Sequence, residues 1–178
     1  AGPRPVFVGG NLGTPLMEVV DTPPAGPDGL CVVELSSFQL ETCQTLQPRV
    51  ALLLNLAEDH LDRYDGMAGY TAAKARVFAA QQAGDWAITN WDQPACRAVV
   101  EGLTAQVAGF GLDHVPEVGA HAEGETLIVR LPHRAEARFD LSRMRLVGRH
   151  NVENALAAVL TAVATTVIGL GSLLVNRI

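Results

Sequence analysis

Any chemistry that needs an amine side chain has one candidate in this sequence, because of 13 basic residues all but Lys74 are arginine. Fourteen residues before Lys74 stands His60, inside the polar run 55–63 (NLAEDHLDR) that follows the apolar stretch 49–54. An imidazole flanked by carboxylates suits a hard divalent cation such as Mg²⁺, which takes one or two protein ligands and completes its shell with water and substrate oxygens. A solvated acidic turn fits the same text and is the better reading for Glu58 and Asp65. A plain ammonium at Lys74 would repel the cation and could hold phosphate only as a point charge. Carrying CO₂ as a carbamate, the same side chain would become a carboxylate-like ligand. The simpler reading is a surface lysine lying along its helix.

Three further clusters carry polar chemistry. Glu34 closes an apolar stretch and is followed by Leu35-Ser36-Ser37-Phe38-Gln39, which puts a carboxylate and two hydroxyls at the carboxyl edge of a sheet, where open α/β sheets bind ligands. Alternatively Ser37 caps the next helix and Glu34 is a solvated strand end. The turn 9–14 (GGNLGT) could present N–H groups to an anion. It lacks the lysine of the GxxxxGK[ST] loop, and plain strand-to-helix geometry explains its glycines equally well. Asn151 and Asn154 stand at i, i+3 on the face of a helix, where side-chain amides that both donate and accept could read a nucleobase edge. Capping by Asn151 is the alternative. His114, His121 and His133 have no nameable partners and read as surface.

The elements that must position these groups alternate. Strands are expected at 6–8, 31–35, 50–55 and 86–89, apolar runs without alternation that suit cover on both faces. Helices are expected from Thr14 through Pro15 to residue 18, over 38–46, over 70–82 with Tyr70, Ala73, Val77 and Ala80 on one face, and over 96–103. Such alternation predicts an α/β fold with a mostly parallel doubly wound sheet, and stretches 107–110, 126–131 and 135–141 predict a small additional antiparallel sheet. A helix opened by residues 148–154 and apolar from 154 to about 165 ends the pattern. Residues 155–175 carry no charge, long enough to span a bilayer by count alone, but their threonines and glycines favour a buried helix followed by an uncertain tail over 166–178.

At 178 residues with 48% hydrophobic and 18% charged side chains, the chain suits a single globular domain. Its formal charge of −6 argues against a nucleic-acid partner, which requires a basic footprint. Three cysteines without a CxxC predict reduced thiols and a cytoplasmic location. The sequence enters a strand at once with no signal-peptide pattern, as though cut from something longer.

Taken in order, residues 10–15, 34–41, 55–63, 72–74 and 148–154 resemble the central domain of the Mur ligases, over about residues 5 to 160. The segment LSSFQLE at 35–41 is similar to the D-glutamate-adding kind. The resemblance implies ATP-dependent amide synthesis in peptidoglycan assembly, joining D-glutamate to UDP-N-acetylmuramoyl-L-alanine through an acyl phosphate. It implies that Glu34, His60 and carbamylated Lys74 hold Mg²⁺, with His60 and Lys74 the catalytic pair. By the same likeness Asn11, Gly13, Ser36 and Gln39 lie by the UDP-sugar substrate, and Asn151 and Asn154 contact the adenine of ATP. Residues 1–165 would then be a central domain whose P-loop lies just upstream and whose flanking domains are absent, monomeric, away from membranes, and inactive as a ligase alone. A folylpolyglutamate synthase-like ligase and a catalytically silent nucleotide- and metal-binding module are the competing readings.

Overall fold

The computed structural model describes residues 4–60, 62–145, 148–168 and 173–176. Leu61 of the polar run and residues 169–172 and 177–178 of the expected tail lie outside the described residues. One nine-stranded sheet organises the rest. Its strands are β1 (Val6–Gly10), β2 (Leu30–Glu34), β3 (Val50–Leu53), β4 (Trp86–Asn90), β5 (Gln106–Gly111), β6 (Gly119–Glu123), β7 (Thr126–Arg130), β8 (Ala137–Asp140) and β9 (Leu173–Asn176). Across the sheet they lie in the order β1-β2-β9-β3-β4-β5-β6-β7-β8. Neighbours run parallel from β1 to β6, and β6, β7 and β8 are antiparallel. The expected antiparallel strands are present, as an extension of the main sheet rather than a separate one.

β3 shows why the apolar runs become central strands. All four of its residues are buried, with Ala51 and Leu53 joining the core on one face and Val50 and Leu52 the core on the other. The first face is covered by α1 (Ser37–Thr42), α2 (Gly66–Ala75) and α3 (Pro94–Val100), whose Leu40, Tyr70, Cys96 and Val100 pack with Ala51, Leu53 and Ala87. On the second face lies α4 (Arg149–Ile168), setting Leu156, Leu160 and Ala164 against Val50, Leu52, Ile88 and Phe110. Each fully buried Leu, Ile or Phe contributes roughly 1.5–3 kcal/mol, so these two layers hold the carboxyl edge of β1, β2 and β3 in place.

Several expected elements shift, for local reasons. No α-helix forms at 14–18. Thr14 bridges back to Gly9, and Gly10 N–H donates to the Thr14 carbonyl at 2.8 Å, leaving only a 3-10 turn over Leu16–Val19 with Pro15 at its N-cap. The helix expected over 38–46 ends at Thr42. The one expected over 70–82 starts earlier, at Gly66, ends at Ala75 and tightens into a 3-10 turn over Arg76–Phe78. The last helix opens at Arg149, within the 148–154 segment expected to start it, and runs past 165 to Ile168. Beyond it, β9 shows that part of the expected tail belongs to the sheet.

β6 has no sequence counterpart among the expected strands, because GAHAE lacks the β-branched residues that favour strands. It forms because β5 and β7 flank it, and because a Cβ at Gly119 would stand 1.8 Å from the Gly109 carbonyl oxygen, so only glycine admits so close an approach. Its His121 is buried at 3% exposure, with Nε2 at 3.2 Å from Glu123 Oε1, which corrects the reading of that histidine as surface. Among the described residues no helix is long and apolar enough to cross a membrane.

Candidate active site

The carboxyl ends of β1 and β2 are adjacent and that of β3 follows across β9 on the same edge of the sheet, and the loops leaving them line two pockets. Gly10 is in register with Glu34 at the ends of β1 and β2, and Asn11 N–H donates to the Glu34 carbonyl at 2.9 Å. Glu34 therefore points its side chain from a fixed strand end. One pocket of about 170 Å³ is lined by Asn11, Glu34, Ser36, Ser37, Asp59, His60, Tyr70 and Lys74. Of the residues singled out in the sequence, Asn11, Glu34, Ser36, His60 and Lys74 are thus brought together. Asp59, Ser37 and Tyr70 were not singled out as site residues, although the aromatic face of α2 already carried Tyr70 four positions before Lys74.

Lys74 is not a surface lysine. It is 3% exposed, with Nζ at 5.2 Å from the centre of the Tyr70 ring, and no ion pair to it is found among the described residues. Burial pushes its amine below the ordinary lysine range, against the opposing pull of the negative charges of Glu34 and Asp59. Desolvation disfavours an ammonium, and the neutral amine it favours is the form that adds CO₂.

Glu34 supplies the complementary observation. Its Oε2 is buried and accepts no hydrogen bond from the described residues. A buried carboxylate oxygen without a donor is costly, and a cation is the partner that would remove the cost. Glu34, Asp59 and His60 are not grouped as a three-ligand metal cluster by themselves, since no such group of His, Cys, Asp or Glu occurs among the described residues. The donor set fits a hard divalent cation only with a further anionic ligand, which a carbamate on Lys74 would provide.

His60 is held from several sides. Its backbone has φ +52°, a left-handed conformation uncommon outside glycine and one that tends to mark functional sites. The imidazole Nε2 is 3.3 Å from Asp59 Oδ2, and its ring centre is 4.7 Å from that of Phe38 on α1. Arg63 stacks over the same ring, with its guanidinium 4.7 Å from the Phe38 ring centre, and pairs with Glu41 at 2.7 Å. The loop that carries His60 is thereby tied to α1.

Ser36 and Gln39 are partly committed to each other. Ser36, not Ser37, is the N-cap of α1: its Oγ accepts from Gln39 N–H at 3.2 Å, and Gln39 Oε1 accepts from Ser36 N–H at 3.0 Å. This capping box starts a helix of only six residues and fixes the turn directly after Glu34. Replacing Ser36 by alanine should lower stability by about 1 kcal/mol, read as a shift of the urea midpoint; an unchanged midpoint would show that the box does not hold the turn. Gly13, at φ +74°, and Gln39 are not among the residues lining this pocket.

A second, larger pocket of about 440 Å³ is lined by Leu12, Leu54, Asn55, Phe110, His150, Glu153 and Asn154. It combines apolar walls with polar groups from the first two turns of α4, and the buried Asn55 Oδ1 there accepts no hydrogen bond among the described residues. Asn154 lines it, while Asn151 lies half-buried one turn earlier and donates its N–H to the Gly148 carbonyl at 3.0 Å. Sequence reading gave the helix face but not its opposite wall, since Leu12, Leu54 and Phe110 look like ordinary core residues in text.

Known proteins place this architecture. Residues 22–162 match the Mur ligase middle domain, and the chain belongs to that family. It is 41% identical over 158 residues to the UDP-N-acetylmuramoylalanine--D-glutamate ligase of Pelotomaculum thermopropionicum, covering 89% of this chain and 34% of that protein. It is 46% identical over 166 residues to the enzyme of the same name from Anaeromyxobacter dehalogenans, covering 89% of this chain and 36% of that protein. The chain thus spans about a third of the length of the curated relatives it matches. Among solved structures, MurF from Acinetobacter baumannii shares the fold with a TM-score of 0.64 at 21% identity, over 92% of this chain and 37% of that one. MurF ligase from Thermotoga maritima in complex with ADP gives 0.62 at 18%, over 94% and 40%.

Proposed function

We propose that this chain is the central, nucleotide-binding part of a cytoplasmic ATP-dependent ligase that joins D-glutamate to UDP-N-acetylmuramoyl-L-alanine in peptidoglycan synthesis. The observation that carries the proposal is the convergence of Glu34, His60 and buried Lys74 on one pocket at the carboxyl edge of the sheet. Residues 1–165 supply the core of that domain. In this reading the substrate carboxylate attacks the γ-phosphorus of ATP, ADP leaves, and the amine of D-glutamate displaces phosphate from the acyl phosphate. Such a reaction asks for positioning and charge neutralisation more than for a protein nucleophile.

The chain's own residues divide that work. Glu34, His60 and a Lys74 carbamate would hold Mg²⁺, which when bound supplies charge neutralisation at phosphate oxygens. Asn11 and Ser36, on the rim of the same pocket, are assigned to the UDP-sugar substrate, with Gly13 and Gln39 shaping the adjoining turns. Asn154 and Asn151 on α4 are assigned to adenine, Asn154 from the wall of the larger pocket. Short apolar walls from Leu12 and Phe110 would bury the flat faces of a base while amides read its edge.

The test is direct. The full native protein, given ATP, Mg²⁺, UDP-N-acetylmuramoyl-L-alanine and D-glutamate, should release phosphate in proportion to amide formed. Phosphate release that depends instead on another amine, such as L-lysine or a folate with L-glutamate, would overturn the substrate assignment.

A further inference from the structure

The first two turns of α4 bring His150, Glu153 and Asn154 to the larger pocket, and something must fix where that end of the helix sits. Arg149, the first residue of α4, is the connection. Its Nη2 is ion-paired to Asp113 Oδ2 and lies 3.6 Å from Asp92 Oδ2, while its Nε lies 3.4 Å from Glu153 Oε1. Both aspartates belong to one built structure. Asp92, just after β4, accepts the backbone N–H groups of Leu112 at 2.7 Å, Asp113 at 3.1 Å and His114 at 2.8 Å, and His114 Nδ1 lies 3.2 Å from it. The loop after β5 is thus wrapped around a single, nearly buried carboxylate. Gly111 makes this approach possible, since a Cβ there would meet Asp92 Oδ1 at 2.8 Å and the His114 carbonyl at 2.6 Å. Phe110, immediately before that glycine, is the opposite wall of the pocket.

From these contacts we propose that Arg149 is a positioning residue for nucleotide binding, clamping the first turn of α4 to the Asp92-organised loop so that Asn154 and Phe110 face each other at a fixed separation. The proposal rests on the nucleotide reading of the larger pocket. Arg149 is half exposed, and surface ion pairs contribute only about 0–1 kcal/mol to stability, so the clamp's value lies in geometry rather than in folding. A fork-shaped guanidinium can hold two carboxylates on different elements at once, which an ammonium does less well.

In the full native protein, Arg149→Met and Asp113→Asn should each raise the dissociation constant for ADP, and the KM for ATP, by roughly tenfold. At saturating ATP kcat should stay within about threefold and the thermal midpoint should barely move. The double variant should bind no worse than either single one, and Arg149→Lys should recover part of the loss. If Arg149 instead touches the nucleotide phosphates directly, Asp113→Asn will leave affinity unchanged or tighter while Arg149→Met weakens it, and the clamp is overturned. ADP binding by the parent that neither substitution alters overturns it as well. A parent protein that binds no adenine nucleotide at all overturns the nucleotide reading and this proposal with it.

Discussion

Lys74→Ala in the full native protein should lower amide formation by on the order of 10³-fold, the scale at which a preorganised charge at a phosphoryl-transfer site acts. Lys74→Arg should be equally inactive, because a guanidinium keeps the positive charge and cannot carry CO₂. That pair separates two roles: a lysine acting as a cation would tolerate arginine in part, and one acting as a carbamate would not. Small carboxylates such as formate should restore some activity to Lys74→Ala by entering the space left by the side chain. Protein equilibrated with ¹³C-bicarbonate should show a carbamate carbonyl resonance that Lys74→Ala lacks. Burial explains why Lys74, rather than a solvated lysine, would be modified. At 3% exposure its ammonium is desolvated, so the nucleophilic neutral amine is populated at lower pH than usual. Full activity of Lys74→Arg, or no labelled resonance in the parent, would leave Lys74 as a buried structural residue.

Gly10→Ala should cost about 3 kcal/mol or more of folding stability and should abolish ligation with it. Gly10 holds φ +127°, and a Cβ there would lie 2.1 Å from the carbonyl oxygen of Glu34. Backbone strain of this kind costs about 1–3 kcal/mol, and the overlap with rigid backbone adds overpacking of a similar size. Relief would require β1 to part from β2 where Asn11 N–H meets the Glu34 carbonyl, displacing the Glu34 carboxylate that lines the smaller pocket. Gly13→Ala is the internal control: it too has positive φ, at +74°, but no atom of the described residues lies within 4 Å of the added carbon, so only the conformational cost of about 1–2 kcal/mol applies. Denaturant midpoints for the two variants measure the difference directly. A Gly10→Ala protein within 1 kcal/mol of the parent would mean that the two strand ends are not as closely joined as described.

Text carried the core of this molecule well where burial is two-sided. In β3 and β4 every residue is buried, so continuous apolar runs were an adequate signal. Lys74 was legible through its rarity, and Glu34 and His60 through their places after apolar strands. What the sequence could not supply was any feature made by backbone groups or by neighbours. Asp92 looks like one of several acidic residues in text, because its partners are three N–H groups that every sequence possesses. β6 is a strand by virtue of β5 and β7, so no local propensity announced it. At 14–18 the Thr-Pro signature of a helix start lost to a hydrogen bond from Gly10, a contact between residues four apart that the turn's glycines alone permit.

The position of β9 has a consequence for how this protein is made. β2 and β3 are not bonded to each other; each pairs with β9 between them, a segment synthesised more than a hundred residues after β3. Two partial sheets must therefore wait side by side, their facing edges open, until that late segment leaves the ribosome and slots between them. Contacts so remote in sequence form slowly, and unpaired edges invite wrong partners meanwhile. The nascent chain should consequently be most vulnerable to misassembly, and most dependent on chaperone shielding, shortly before its centre is filled.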